Sequence, residues 1–229
     1  MTSRRALLLL SLTGSLLAAC GGHDEGGGTK TLYVRAQAET DGSTKGSYIV
    51  VEVRQGSSEG QIVNDAVVTL RGDNTGEVGL PFQGGDWFGF RFGGYGKAEL
   101  PWDTGWGLKV TRGADELEAY LEAPGITTIT SPISGTTFRR ANGDDLQVTW
   151  KDEKNRRADY VTIDFARANG ADREMTGDER RYVVDFNRLE ADDKERIEVK
   201  RRNEVNLAGG TPGSRFSATT KHRIELKVE

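Results

Sequence analysis

Leu146-Gln147-Val148-Thr149-Trp150 puts three large apolar side chains at alternate positions, with Gln147 and Thr149 between them. Successive side chains of an extended chain point to opposite faces, so this spacing is that of a strand with one buried face. The period of two recurs on both sides of it. Upstream it runs through Leu32, Val34, Ala36 and Ala38, then Ile49, Val51 and Val53, then Trp106, Leu108 and Val110, then Leu117, Ala119 and Leu121. Downstream it runs through Val161, Ile163 and Phe165, then Ile197, Val199 and Arg201, then Ile224, Leu226 and Val228. Val67-Val68-Thr69-Leu70, Thr127 to Thr130 and Arg181 to Phe186 read as further short strands, and Arg188 to Arg196 as a stretch holding a helical turn. Turn-forming clusters separate the first-half strands: Asp41-Gly42-Ser43, Gly56-Ser57-Ser58, Gly72 to Gly76, Gly84-Gly85-Asp86 and Gly93-Gly94. Short strands punctuated this often predict an all-β sandwich architecture.

Ala123-Pro124-Gly125 breaks the rhythm, and Ser131-Pro132 follows soon after. The sequence therefore predicts two β-sandwich domains in tandem, over 31–125 and 126–229. In the second, Ile129-Thr130-Ser131-Pro132 with Gly135, followed by the Leu146–Trp150 strand, resembles bacterial immunoglobulin-like and fibronectin type III-like domains. The first, through Asn64 to Leu70 and Trp106 to Val110, resembles carboxypeptidase regulatory-like sandwiches. Both resemblances imply fold, and fold does not fix function.

Composition narrows the functional classes. Of the 229 residues, 35 are acidic and 31 are Lys or Arg, a net charge of −4, which leaves no basic excess for a nucleic-acid partner. One cysteine excludes an internal disulfide framework and a cysteine-based zinc cage, and two histidines are few for a metal cluster or a serine–histidine triad. No Gly-x-Ser-x-Gly elbow or phosphate-binding loop is present. The acidic pairs Asp144-Asp145 and Asp192-Asp193 do not form an Asp-x-Asp-x-Asp-Gly calcium loop. The expectation is a non-enzymatic protein with no metal or cofactor. His222, between Lys221 and Arg223, reads as solvent-facing, and the Lys200-Arg201-Arg202 run as a solvated face that protects an edge.

The amino terminus carries the sharpest motif. Arg4-Arg5 precedes a short apolar stretch ending Leu17-Ala18-Ala19-Cys20-Gly21. A positive segment followed by a short apolar run is an export signal, too short to span a bilayer. Its end resembles the bacterial lipobox. That resemblance implies a signal peptide over 1–19, cleavage before Cys20 and fatty acylation of Cys20, palmitate included. Two or more acyl chains anchor a protein stably. Gly21 at the next position implies, on the same resemblance, the outer membrane. Removing 1–19 takes away two arginines and no acid, so the net charge moves from −4 to about −6. The rest of 20–30 is rich in glycine and reads as a flexible tether.

Seven of the aromatic residues lie between Trp87 and Trp106. Phe88, Phe90 and Phe92 share one parity and are assigned to the core. Trp87 has the opposite parity and Trp102 follows Pro101 in an expected loop, so these two are the candidate ligand contacts. The reading that results is a lipid-anchored cell-envelope protein with a binding or structural role, its partner an envelope protein or polysaccharide. The alternative is a carbohydrate-binding or enzyme-accessory module working through Trp87 and Trp102.

Overall fold

The computed structural model describes residues 29–43, 46–87, 90–167 and 172–229, with side-chain surroundings given outside 85–92. Cys20 and the signal segment lie outside the described residues, as do Phe88 and the side chains of Trp87, Phe90 and Phe92. The fold is all-β. In chain order the strands are β1 (Leu32–Thr40), β2 (Tyr48–Gln55), β3 (Val67–Gly72), β4 (Gly76–Gly79), β5 (Phe82–Trp87), β6 (Phe90–Ala98), β7 (Gly105–Arg112), β8 (Asp115–Glu122), β9 (Thr127–Ser131), β10 (Thr137–Phe138), β11 (Leu146–Asp152), β12 (Tyr160–Phe165), β13 (Arg173–Thr176), β14 (Arg181–Val184), β15 (Asp192–Asn206) and β16 (Arg215–Val228). A nine-stranded sheet has the order β13-β12-β15-β16-β1-β2-β6-β5, with β10 added beside β16. Two smaller sheets, β4-β3-β7-β8 and β14-β11-β9, complete the molecule.

Two sandwiches result, and they share the large sheet. In the first lobe β1, β2 and β6 face β3, β7 and β8 across a core that includes Val34, Val51, Leu70, Trp106, Val110 and Leu117. In the second, β12, β15 and β16 face β11 and β14 across Val148, Trp150, Ile163, Val199 and Leu226. Trp150 is 3% exposed, which confirms the inward parity of Leu146, Val148 and Trp150. Burying its ring contributes much of the cohesion of a lobe without a disulfide.

The expected boundary between 125 and 126 does mark the passage from β8 to β9, but it does not partition the cores. β15 and β16 form one antiparallel hairpin that runs through both lobes. Near its turn, Leu207, Phe216 and Ala218 are buried in the first core, and β16 pairs in parallel with β1 from Arg35↔Arg215 to Thr40↔Thr220. Toward its open end, Ile197, Val199, Ile224 and Leu226 are buried in the second core. At about 3.4 Å per residue, the 14 residues of β16 give the two lobes a common spine of about 45 Å.

Several local expectations change. Gly84-Gly85-Asp86 and Gly93-Gly94 are not turns: they lie within β5 and β6, with Gly84 opposite Gly93. The bare backbone at Gly93 is where Phe82 and Ile62 pack, since a Cβ there would lie 3.1 and 3.2 Å from their side chains. The helical turn falls earlier than expected, at Phe186–Arg188, where the Asp185 carboxylate accepts from the Asn187 N–H.

Candidate functional site

Where the spine passes from one lobe to the other, its inward face becomes polar. Along β15 the buried positions read Ile197, Val199, Arg201, Asn203, and along β16 they read Ala218, Thr220, with Ile224 beyond His222. Arg201 is 0% exposed, which corrects its assignment to a solvated face. Its Nε donates to Asp178 Oδ2 at 2.8 Å, its Nη2 to Asp152 Oδ2 at 2.7 Å and to the Arg156 carbonyl at 2.6 Å, and its Nη1 to the Gly125 carbonyl at 2.9 Å. Asp178 also accepts from Trp150 Nε1 at 3.0 Å, so the seam is bolted to the second core. A buried charge of this kind persists only when paired and hydrogen-bonded.

The linker is held in the same seam. A Cβ on Gly125 would lie 2.3 Å from the Glu153 carbonyl oxygen, so the close approach of the linker to the segment after β11 requires glycine there. The Thr220 hydroxyl donates to the Gly125 carbonyl at 3.1 Å and lies 2.6 Å from the Thr127 hydroxyl. Asn203 Nδ2 donates to the Glu122 carbonyl at 2.8 Å. His222, expected in solvent, is half-buried: its Nδ1 accepts from the Ile129 N–H at 3.2 Å, and burial lowers its pKa. These bonds occupy both His222 and Arg201 in fixing the spine to the second lobe and to the linker.

Trp102 belongs to this seam as well. It is half-buried, its ring meets Trp106 edge to face at 6.2 Å, and its Nε1 donates to the Pro124 carbonyl at 2.9 Å. Its polar atom is therefore committed; the Trp87 backbone ends β5, and its side chain lies outside the described residues. Beside Trp102, Asp103 accepts from the Asn74, Thr75 and Thr104 N–H groups at 2.9, 2.9 and 2.7 Å. Burial would raise its pKa, but these bonds, with the Thr75 hydroxyl and Asn74 amide, outweigh it and hold the carboxyl at about 2.

A separate surface was missed in the sequence. The outer face of β3, β4, β7 and β8 carries a hollow of about 800 Å³ lined by Thr69, Arg71, Asp73, Lys109, Glu118 and Tyr120. Tyr120 is 57% exposed and stands opposite Gly107 in the β7–β8 register. Its ring tip lies over Gly105, where a Cβ would come within 2.2 Å of the phenolic oxygen. The hydroxyl donates to Asp73 at 3.2 Å, and Asp73 also accepts from the Thr104 hydroxyl at 2.7 Å. Burial, followed by the hydrogen bond to Asp73 and its charge, raises the Tyr120 pKa, so the phenol stays protonated. Lys109 pairs with Glu116 at 2.8 Å, whereas Arg71 is exposed and forms no ion pair among the described residues. The signal that could have located this site is an aromatic at solvent parity in Glu118-Ala119-Tyr120, set against glycines at alternate positions of Gly105-Trp106-Gly107.

No protein-family model matches the chain, and no curated protein matches it. Among solved structures it is similar to a chimeric titin Z1Z2 functionalised with a KLER exogenous peptide from decorin, at 15% identity and TM-score 0.21, covering 87% of this chain and 98% of that one. It is similar also to the titin domains Z1Z2 in complex with telethonin, at 13% identity and TM-score 0.22, covering 86% and 96%. At those values the likeness adds nothing to what the strands show, and the all-β, two-sandwich assignment rests on the chain's own sheets.

Proposed function

We propose that this is a lipid-anchored cell-envelope protein with a non-catalytic binding or structural role, in which a flexible tether keeps a folded body close to the membrane. The observation that carries this reading is where the chain enters the body. The Asp115 carboxylate accepts from the Thr29 hydroxyl at 2.6 Å and the Thr31 hydroxyl at 2.5 Å, clamping the chain just before β1. The Thr211 N–H, in the turn of the long hairpin, donates to the Leu32 carbonyl at 2.9 Å. The entry point thus lies at the tip of the first lobe, at the opposite end of the spine from the second. With Cys20 acylated, the first lobe sits next to the membrane and the second projects away from it. The seam supports the same reading, because its charged and polar groups are spent on fixing the spine and the linker.

The test is metabolic labelling with a clickable palmitate analogue in a Gram-negative host. The native chain should take up label and partition with membranes, and Cys20→Ser should lose both and accumulate as uncleaved precursor. Covalent lipid on the Cys20→Ser chain would overturn the anchoring.

A further inference from the structure

We propose that the hollow on the outer face of β3, β4, β7 and β8 binds a neutral oligosaccharide, with Tyr120 as the platform for one sugar ring. The proposal goes beyond the anchoring reading and does not depend on it.

A pyranose ring presents two kinds of surface: a flat face of C–H groups and a rim of adjacent hydroxyls. The first packs on an exposed aromatic ring, and the second pairs with carboxylates, guanidinium and hydroxyl groups that can each meet two neighbouring oxygens. The hollow offers both across the neighbouring strands β3, β7 and β8. Tyr120 is more than half exposed although it is pinned, its tip over the Gly105 backbone and its hydroxyl on Asp73. A platform fixed before the ligand arrives loses little side-chain freedom on binding. Gly107 leaves the floor beside it open, since a Cβ there would meet nothing nearer than Arg71 Cβ at 3.7 Å. The unpaired Arg71 guanidinium, the Thr69 hydroxyl and the Glu118 carboxylate stand around that floor.

Size and charge select the ligand class. A hollow of about 800 Å³ is within the range of small-ligand clefts, about 300–1,000 Å³. Such clefts are usually apolar, and a lining as polar as this one suits a polyhydroxylated ligand better than a hydrophobic one. Asp73, Glu77 and Glu118 face Arg71 and Lys109, which gives a mixed lining with a slight acidic excess and so disfavours polyanionic glycans. Trp102 offers no comparable platform, because its ring edge and N–H are taken up by Trp106 and Pro124.

The test is calorimetric titration of the full chain, held in a detergent without a sugar headgroup, with cellohexaose, maltohexaose, mannohexaose and chitohexaose. At least one should bind with Kd between micromolar and millimolar. Tyr120→Ala, which removes the platform, and Gly107→Val, which fills the floor without touching the core, should each weaken binding by about tenfold or more, with Tm unchanged. Tyr120→Phe keeps the ring and should stay within about threefold of the native chain. The proposal is overturned if none of the four binds at about 10 mM, or if Gly107→Val and Tyr120→Ala bind as the native chain does. A preference for a sulfated hexasaccharide over all four would also overturn it. Each of these failures would leave the acyl-labelling result untouched, so the two readings fail separately.

Discussion

The two lobes depend on the same hairpin to different degrees. Of the 15 buried core residues described in the second lobe, five come from β15 and β16: Ile197, Val199, Ile224, Leu226 and Val228. Of the 22 in the first, only Leu207, Phe216 and Ala218 come from the hairpin and its turn. The first lobe nearly completes itself from its own segment but uses the hairpin to cover β1. The second has no large sheet without it. An arrangement of this kind gives two cores in one folding unit, and each attempt to separate them should cost more than their number of shared contacts suggests.

The largest effect should come from cutting the chain in two. Fragment 126–229 keeps all 15 residues of the second core but exposes Phe216, Leu207 and Ala218 and the β16 edge that β1 covers. Fragment 29–125 keeps β1 without its parallel partner. Each alone should self-associate, and mixing them should yield a 1:1 complex by light scattering. Two monodisperse fragments with no affinity for each other would show that the lobes are independent.

Removing the charge at the seam should have the next largest effect. Arg201→Ala leaves Asp178 buried without its cation, while Asp152 keeps Arg180 at 3.1 Å, and should destabilise the protein by about 3–5 kcal/mol in urea unfolding. A cost below about 1 kcal/mol would mean that the seam is wet and the junction loose. The ion pairs also set register. A one-residue slip of β15 would turn Arg201 out to solvent and bring the charged Lys200 or Arg202 to the buried face, a penalty that a purely apolar hairpin would not impose.

A smaller effect is expected at Asp103, on the first lobe's side of the seam. Its carboxyl is held at about 2 in the folded protein, below its ordinary 3.8. A depressed carboxylate stabilises the fold above its unfolded value, and that contribution is lost as pH falls from about 4 toward 2. Asp103→Asn should cost about 1–3 kcal/mol near neutral pH and flatten the acid limb of the stability profile. A mutant curve parallel to the native one through that window would show that Asp103 does not set it.

The sequence carried the strands whose inward face is apolar. β1, β2, β7, β8, β11 and β12 follow from alternation alone, and Trp150 follows with them. It did not carry the crossing of the spine, and the seam itself explains why. Alternation in β15 was visible only from Ile197 to Arg201 and in β16 only from Ile224, while the strands run Asp192–Asn206 and Arg215–Val228. The intervening inward positions are Asn203, Thr220 and His222, whose polarity looks like solvent exposure when partners distant in sequence are unknown. The parallel pairing of β1 with β16 likewise joins segments about 180 residues apart, and no local pattern encodes it. The surroundings of Trp102 were hidden for a related reason. A loop position beside proline suggested exposure for Trp102, but the Pro124 carbonyl and Trp106 bury much of it, whereas the exposed aromatic is one that the strand parity placed outward.

Fluorine NMR of the full chain labelled with 5-fluorotryptophan, followed through a urea titration, tests most directly whether the two cores are one unit. Trp106 reports on the first core and Trp150 on the second. The native signals of both should disappear at the same urea concentration, and Arg201→Ala should shift both midpoints together. Loss of the Trp150 signal at a clearly different midpoint, with Trp106 still native, would contradict a shared spine and restore two independent domains.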